Sequence, residues 1–406
     1  MVKYIFSLGR KALISLAELS AVLPENTNYI SLDREYLVIE LPTAIDKPQV
    51  LMNRLGGSTK IVKVITSTES NHELPKIISD LAATKFKGRA DKVRYALSID
   101  TVNGKVDREL KNCLILTKKK LKELNLSSRF INNNFQNPPT ALLLGENILG
   151  KGAEFVAIEM DREFLIGETV AIQDINEYSE RDFKRPERDA RLGMLPPKLA
   201  QILINLSGAE PDKDTIYDPF CGVGTILMEA TLMGLNAIGS DISDENIHKS
   251  RVNLQWSAKR SNTKATLRLF AQDSTELSKA DLPEKIAAVV SETFLGPPIS
   301  KTPFPDQIDQ NFSQVQGLIF NFLKALRPLI PKDVTVVMTL LCYRTGARFL
   351  PMEELHHSFA KVGFEEEAVL PEALAKKFNL TVREKSLIYE RPDQVVCREI
   401  VKLRAV

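Results

Sequence analysis

Apolar residues recur along the chain with two different periods, and each change of period marks a new element. Strand-like runs fall at 3–7, at 29–41 as a pair and at 58–66, with helical patterns at 12–22 and 47–55 between them. Gly56-Gly57 and the polar stretch 66–72 punctuate this group. Val93, Tyr95, Leu97 and Ile99 then alternate as one face of a half-buried strand. A helix is predicted over 105–124, then strands at 140–144, 153–159 and 164–174. The charged connector 175–198 ends at Pro196-Pro197, which start a helix over 198–206 because proline is tolerated in a first helical turn. Strand and helix alternate from there on. A run ending in Asp218 leads to a helix starting at Thr225, and a second run, 237–241, ends in Asp241. Helix 245–259, strand 266–270, strand 286–291, helix 312–326, strand 334–341 and helix 352–362 follow. Segments 387–391 and 395–403 make a hairpin through Pro392-Asp393-Gln394. The continuous apolar run 286–291 suits a parallel strand covered on both faces.

Composition adds limits rather than identity. A chain of 406 residues is expected to hold two or three domains, and its 44% hydrophobic and 26% charged content is that of a globular protein with a large core. Cys113, Cys221, Cys342 and Cys397 have no paired spacing, so neither a zinc site nor a disulfide framework is expected, and a reducing cytoplasm fits. His356-His357 have no third ligand nearby, and no metal is expected. The first apolar run is too short for a signal peptide, and no stretch approaches the length of a membrane span. Net charge is only +2, but residues 51–130 hold 17 Lys/Arg against 8 Asp/Glu while 151–180 hold 2 against 8. That asymmetry suits a basic face for a polyanion, or simply solvated lysines.

The chemistry concentrates at Thr215-Ile-Tyr-Asp218-Pro219-Phe-Cys221-Gly222-Val-Gly224-Thr225 and its echo Asp241-Ile242. Gly222 and Gly224 let backbone turn sharply and approach a ligand with no Cβ in the way. Asp241, 23 residues after Asp218, stands where a carboxylate at a second strand's end accepts from both ribose hydroxyls. A dinucleotide site wants a third glycine where this chain has Leu227, and the lysine of a triphosphate-cradling loop is missing. The adenosine-type ligand left is S-adenosylmethionine, which has no phosphate. Cys221 reads as a small packed loop residue, since nothing near it in sequence makes a thiol reactive.

Asp218-Pro-Phe-Cys-Gly-Val-Gly-Thr225 resembles the first motif of class I S-adenosylmethionine methyltransferases that act on amino groups of RNA and DNA. Tyr178 to Asp182, Arg185 to Asp189 and Met194 to Ala200 resemble the junction of THUMP-domain tRNA methyltransferases, especially the guanine-N2 methylases, and Phe6 to Arg10 with Leu16 to Leu19 look like their opening. The resemblance implies an α/β protein. Its C-terminal part would be a Rossmann-like class I methyltransferase, with a mostly parallel seven-stranded sheet and an antiparallel last strand, preceded by α+β ferredoxin-like and THUMP units. The implied domains are a ferredoxin-like unit at 1–90, a THUMP RNA-binding domain at 91–174, a linker at 175–197 and the methyltransferase at 198–406. It further implies S-adenosylmethionine held by Asp218, Pro219, Cys221, Gly222, Gly224, Thr225, Asp241, Ile242, Asp273 and Ser274, with Asp273 accepting from the adenine amine or serving as a helix cap.

Amino-methylases of this family follow their fourth strand with Asp/Asn-Pro-Pro-Tyr/Phe. A side-chain oxygen and a backbone carbonyl there accept the two amine hydrogens, and the aromatic ring stacks on the base. Here the run is Glu292-Thr293-Phe294-Leu295-Gly296, which keeps a carboxylate and the glycine and loses both prolines and the aromatic position. Glu292, Thr293, Phe294 and Gly296 are the catalytic candidates, with Phe294 supplying a stacking face; the other outcome is a changed substrate or lost catalysis. Gly296-Pro-Pro298 is expected to shape the loop. Lys118, Lys119, Lys120, Lys122 and Arg129 are the candidates for RNA phosphate contacts, against the plainer reading of a solvated helix face. The reaction implied is methylation of a guanine N2 amine in tRNA. The alternatives are another RNA or base, or a non-catalytic RNA-binding protein that keeps the cofactor fold.

Overall fold

The computed structural model describes all residues except 103–105, 189–193, 262, 283–284, 298, 300 and 392–393. The first residue of the predicted helix 105–124, Asp189 of the junction motif, Pro298, and Pro392-Asp393 of the predicted hairpin turn therefore lie outside the described residues. Two compact units result: one from 1–10, 25–53 and 58–176, the other from 11–24, 54–57 and 177–406.

The first unit is built on one eight-stranded sheet. Its strands are β1 (Val2–Leu8), β2 (Asn28–Asp33), β3 (Tyr36–Leu41), β4 (Ser58–Thr68), β5 (Val93–Asp100), β6 (Ser128–Phe130), β7 (Gly152–Met160) and β8 (Glu163–Ile172), in the order β2-β3-β1-β4-β8-β7-β5-β6. Strands from either side of residue 90 meet where β4 pairs antiparallel with β8. Helices Leu74–Phe86 and Asp107–Glu123 cover it, the second burying Leu110, Cys113, Leu114, Thr117 and Leu121 along one stripe.

Two expectations fail in this unit. Residues 140–144, read as a strand, form helix Thr140–Gly145. An alanine and three leucines favour helix once Pro139 sets the start, and only Leu143 is buried, so no two-sided strand burial stood behind the apolar run. Helix Leu74–Phe86 went unpredicted although Leu74, Ile78, Ala82 and Phe86 recur every fourth residue and are all buried.

The second unit carries a nine-stranded sheet. Its strands are β9 (Thr215–Asp218), β10 (Asn236–Asp241), β11 (Leu267–Ala271), β12 (Ala288–Glu292), β13 (Thr335–Thr345), β14 (Arg348–Leu350), β15 (Phe364–Glu367), β16 (Leu387–Tyr389) and β17 (Val396–Ala405). Seven run in the order β11-β10-β9-β12-β13-β17-β15, with β14 and β16 as short additions. β9 through β13 are mutually parallel, and β17 is inserted antiparallel between β13 and β15. This is the class I methyltransferase arrangement. The chain runs outward from β9 to β11, then returns to β12 on β9's other side, leaving a crevice beyond the carboxyl ends of β9 and β12.

Helix Ala12–Val22 belongs to this unit, where the buried Glu18 carboxylate accepts from the Gly56 and Gly57 amides and from Asn205 Nδ2, each at 2.8 Å. The connector also differs from expectation, because 175–183 form helix Ile175–Phe183. Tyr178 is buried on it, and Arg181 donates to Glu229 at 2.7 Å. Residues 352–362 break into helix Glu353–His356 and the single turn Phe359–Val362, where Ser358 Oγ donates to the Leu355 carbonyl and competes with the backbone ladder.

Candidate active site

Asp218 closes β9, a strand paired on both sides, and is only 2% exposed. Its Oδ1 accepts from Ser291 Oγ at 2.6 Å and from the Phe220 amide at 3.1 Å. Burial outweighs these bonds, and with Asp241 and Glu292 nearby it pushes the carboxyl up to about 7. The loop beyond then turns through Gly222 at φ +50° and Gly224 at φ +85°, and helix Thr225–Leu232 begins. A Cβ on Gly224 would lie 2.3 Å from Ser250 Oγ, so position 224 demands glycine on two counts. Asp241, at the end of β10, gathers this loop: Oδ2 accepts from the Gly222 amide, and Oδ1 from the Ser243 amide, each at 3.0 Å. Asn246 Nδ2 adds a third bond at 3.1 Å. Ile242 beside it is 74% exposed.

These tips open on one cleft of about 590 Å³, counted to its mouth, lined by Met194, Asp218, Gly222, Thr225, Asn246 and Glu292 among others. Cys221 also lines it, with its thiol pushed up by burial and so unreactive. Asp241 stands directly behind, bonded to two of the lining residues. Pro219 is buried. Asp273 and Ser274 are not among the lining residues; Asp273 Oδ1 caps a turn by accepting from the Thr275 amide and hydroxyl at 2.8 Å each.

Glu292 ends β12 and faces the same cleft as Asp218. Its Oε1 accepts from Arg398 Nε of β17, an arginine whose side chain is 5% exposed. Burial raises the Glu292 carboxyl despite Arg398 and Arg391, which pull it down. The three other catalytic candidates are placed differently. Thr293 is buried and its hydroxyl donates to the Thr339 carbonyl at 2.7 Å, so it anchors the strand end. Gly296 sits at φ +79° and turns the loop back toward Tyr343. Phe294 is 37% exposed. An acidic, open cleft beside a glycine loop, with an exposed aliphatic next to a pre-bonded aspartate, suits a cationic adenosine derivative.

Residues 185–287 match the family described as UPF0020: RMKL-like, methyltransferase domain. The match covers the glycine loop and strands β9 to β11, the part of the second unit that frames the cleft. The cleft has room for a ligand at the glycine loop: Gly222 has nothing within 4 Å of where a Cβ would stand, so a ligand meets bare backbone there. The chain is 49% identical over 63 residues to the tRNA (guanine(10)-N2)-dimethyltransferase of Methanothermobacter thermautotrophicus, covering 16% of this chain and 18% of that one. It is 24% identical over 201 residues to the Pyrococcus abyssi protein of the same name, covering 48% and 57%. The chain thus spans from under a fifth to just over half the length of these relatives. Among solved structures, TrmN from Thermus thermophilus superposes over 100% of both chains with TM-score 0.51 at 15% identity, which shows the shared fold.

Near the cleft, sequence reasoning missed the roles of two arginines. Arg185, 2% exposed, donates to Thr225 Oγ1 at 2.7 Å beside the glycine loop; its place in the junction motif was visible, its partner was not. Arg398 had one signal, a charged Arg-Glu pair flanked by the apolar residues 395–397 and 400–401. The phosphate-contact candidates lie in the first unit. Lys120 pairs with Asp80 at 2.6 Å, Arg129 approaches Glu146 at 3.7 Å, and Lys118 Nζ lies 5.7 Å from the Phe130 ring centre. Lys119 and Lys122 are exposed. Among the described residues no group of three His, Cys, Asp or Glu stands ready to hold a metal, and no helix is long and apolar enough to cross a membrane.

Proposed function

We propose that this protein is an S-adenosylmethionine-dependent tRNA methyltransferase that methylates the exocyclic N2 amine of a guanine. The observation that carries the reading is that Glu292 and Asp218, at the tips of adjacent parallel strands, line one cleft with the glycine loop. The names of the relatives support tRNA and guanine as the first substrate to test. Asp241, Asn246 and Ile242 would hold the ribose and adenine, and Asp218 with the backbone at Gly222 the amino-acid end. S-adenosylmethionine supplies a methyl group on positively charged sulfur, an electrophile that needs no metal. Glu292 accepts the amine's hydrogens, turns its lone pair inward and takes the proton released as the N–C bond forms, while Phe294 offers a face to a base drawn from its stack. Residues 1–90 and 91–174 serve as the ferredoxin-like and THUMP parts that grip tRNA, using the lysine-bearing helix Asp107–Glu123. The cytoplasm, where tRNA is abundant, is the compartment this reading favours.

Nucleoside mass spectrometry of tRNA from cells with and without the gene tests this reading, together with transfer by purified protein. Glu292→Ala should abolish transfer while cofactor binding persists. Cofactor binding with no transfer to any RNA would leave the non-catalytic RNA-binding reading in its place.

A further inference from the structure

We propose that Arg398 is a positioning residue for methyl transfer: it fixes one oxygen of the Glu292 carboxylate and leaves the other to the target amine. This rests on the reaction proposed above. Glu292 is in register with Thr339 of β13, and Thr339 with Ile400 of β17, so the three side chains share one face of the sheet. Arg398, two residues from Ile400 and opposite Leu341, is on that face too, and its guanidinium reaches across β13 to the last residue of β12. The base of that reach is rigid, because its strand neighbours Cys397 and Glu399 are fully buried opposite Cys342 and Leu340. β16 pairs on the other side, with Tyr389 opposite Arg398.

A glutamate has three side-chain torsions, and no proline follows Glu292 to stiffen its backbone. A charge-assisted bond from a buried guanidinium removes that freedom at one oxygen. It also opposes protonation. Burial, the largest influence on Glu292, opposes the carboxylate, while Arg398 and then Arg391 favour it; across the cleft Glu292 in turn pushes Asp218 of β9 up. With Arg398 gone the balance shifts toward the acid, and a protonated carboxyl presents a donor where the amine needs an acceptor.

The test compares Arg398→Met, Arg398→Lys and Glu292→Gln in the full chain, after calorimetric binding of S-adenosylmethionine has shown each to be folded. Carbon-13 NMR of glutamate-labelled protein reads the Glu292 titration, assigned by the signal that Glu292→Gln removes. Arg398→Met should raise that midpoint by about one pH unit, and Arg398→Lys should restore most of it. For tRNA, kcat of Arg398→Met should fall about tenfold at neutral pH with KM unchanged, and recover as pH rises. If Arg398→Met does not fold, Arg398→Gln, which removes the charge and keeps a neutral donor, should still raise the midpoint and lower kcat, each by less than the loss of both charge and bond would. An unmoved midpoint, or wild-type kcat at every pH, overturns the assignment. Because the titration needs no RNA, a wild-type protein inert on tRNA would sink the reaction separately.

Discussion

Gly224 offers a substitution whose cost can be worked from coordinates. Alanine there keeps a backbone at φ +85°, a left-handed conformation that costs an L-residue about 1–2 kcal/mol. Its Cβ also meets Ser250 Oγ at 2.3 Å and Ser250 Cβ at 3.2 Å, an overpacking of about 1–3 kcal/mol. Gly224→Ala should therefore destabilise the second unit by about 2–5 kcal/mol. Ser250→Ala removes the hard contact and leaves the backbone strain, so the double variant should recover about 1–2 kcal/mol, a measurable coupling. The chain's one tryptophan, Trp256, sits on Ser250's helix Asp244–Ala258 and reports this unit's urea transition by fluorescence. A Gly224→Ala midpoint equal to wild type, or strictly additive effects of the two changes, would refute the reasoning.

Three further outcomes follow from the same geometry. Burial alone would lower the His356 pKa, but its bonds to Glu366 and Glu399 at 2.9 and 3.3 Å raise it to about 10. Its stabilising contribution is therefore full below the unfolded value near 6.5 and lost as pH rises through 10, a slope that His356→Gln should flatten in thermal melts. The Asp218 carboxyl, raised to about 7 chiefly by burial, should ionise more readily beside a cationic cofactor. Binding should then release protons and tighten as pH rises through 7, an effect that calorimetry in buffers of different ionisation heat detects and Asp218→Asn removes. Ile242 is 74% exposed and packs little in the folded chain. Ile242→Ser should leave the melt unchanged and weaken S-adenosylmethionine by about tenfold through lost apolar contact; equal affinity would remove Ile242 from the site.

What the residues determined alone was local. Apolar runs ending in Asp218 and Asp241, and the glycines between them, set the strand tips and the loop, because strand period, turn chemistry and the absence of Cβ act over a few residues. The continuous run 286–291, just before Glu292, similarly marked a doubly covered strand. Other choices belonged to tertiary structure. Arg398 reaches Glu292 across 106 positions only because β17 runs antiparallel beside β13, a pairing that no local pattern encodes. Glu18 meets Asn205 across 187 positions, drawing an early helix into the second unit. The Thr140–Gly145 helix shows the same limit from the other side: a short apolar run is silent about its partner, and the neighbours available to bury it decide between strand and helix.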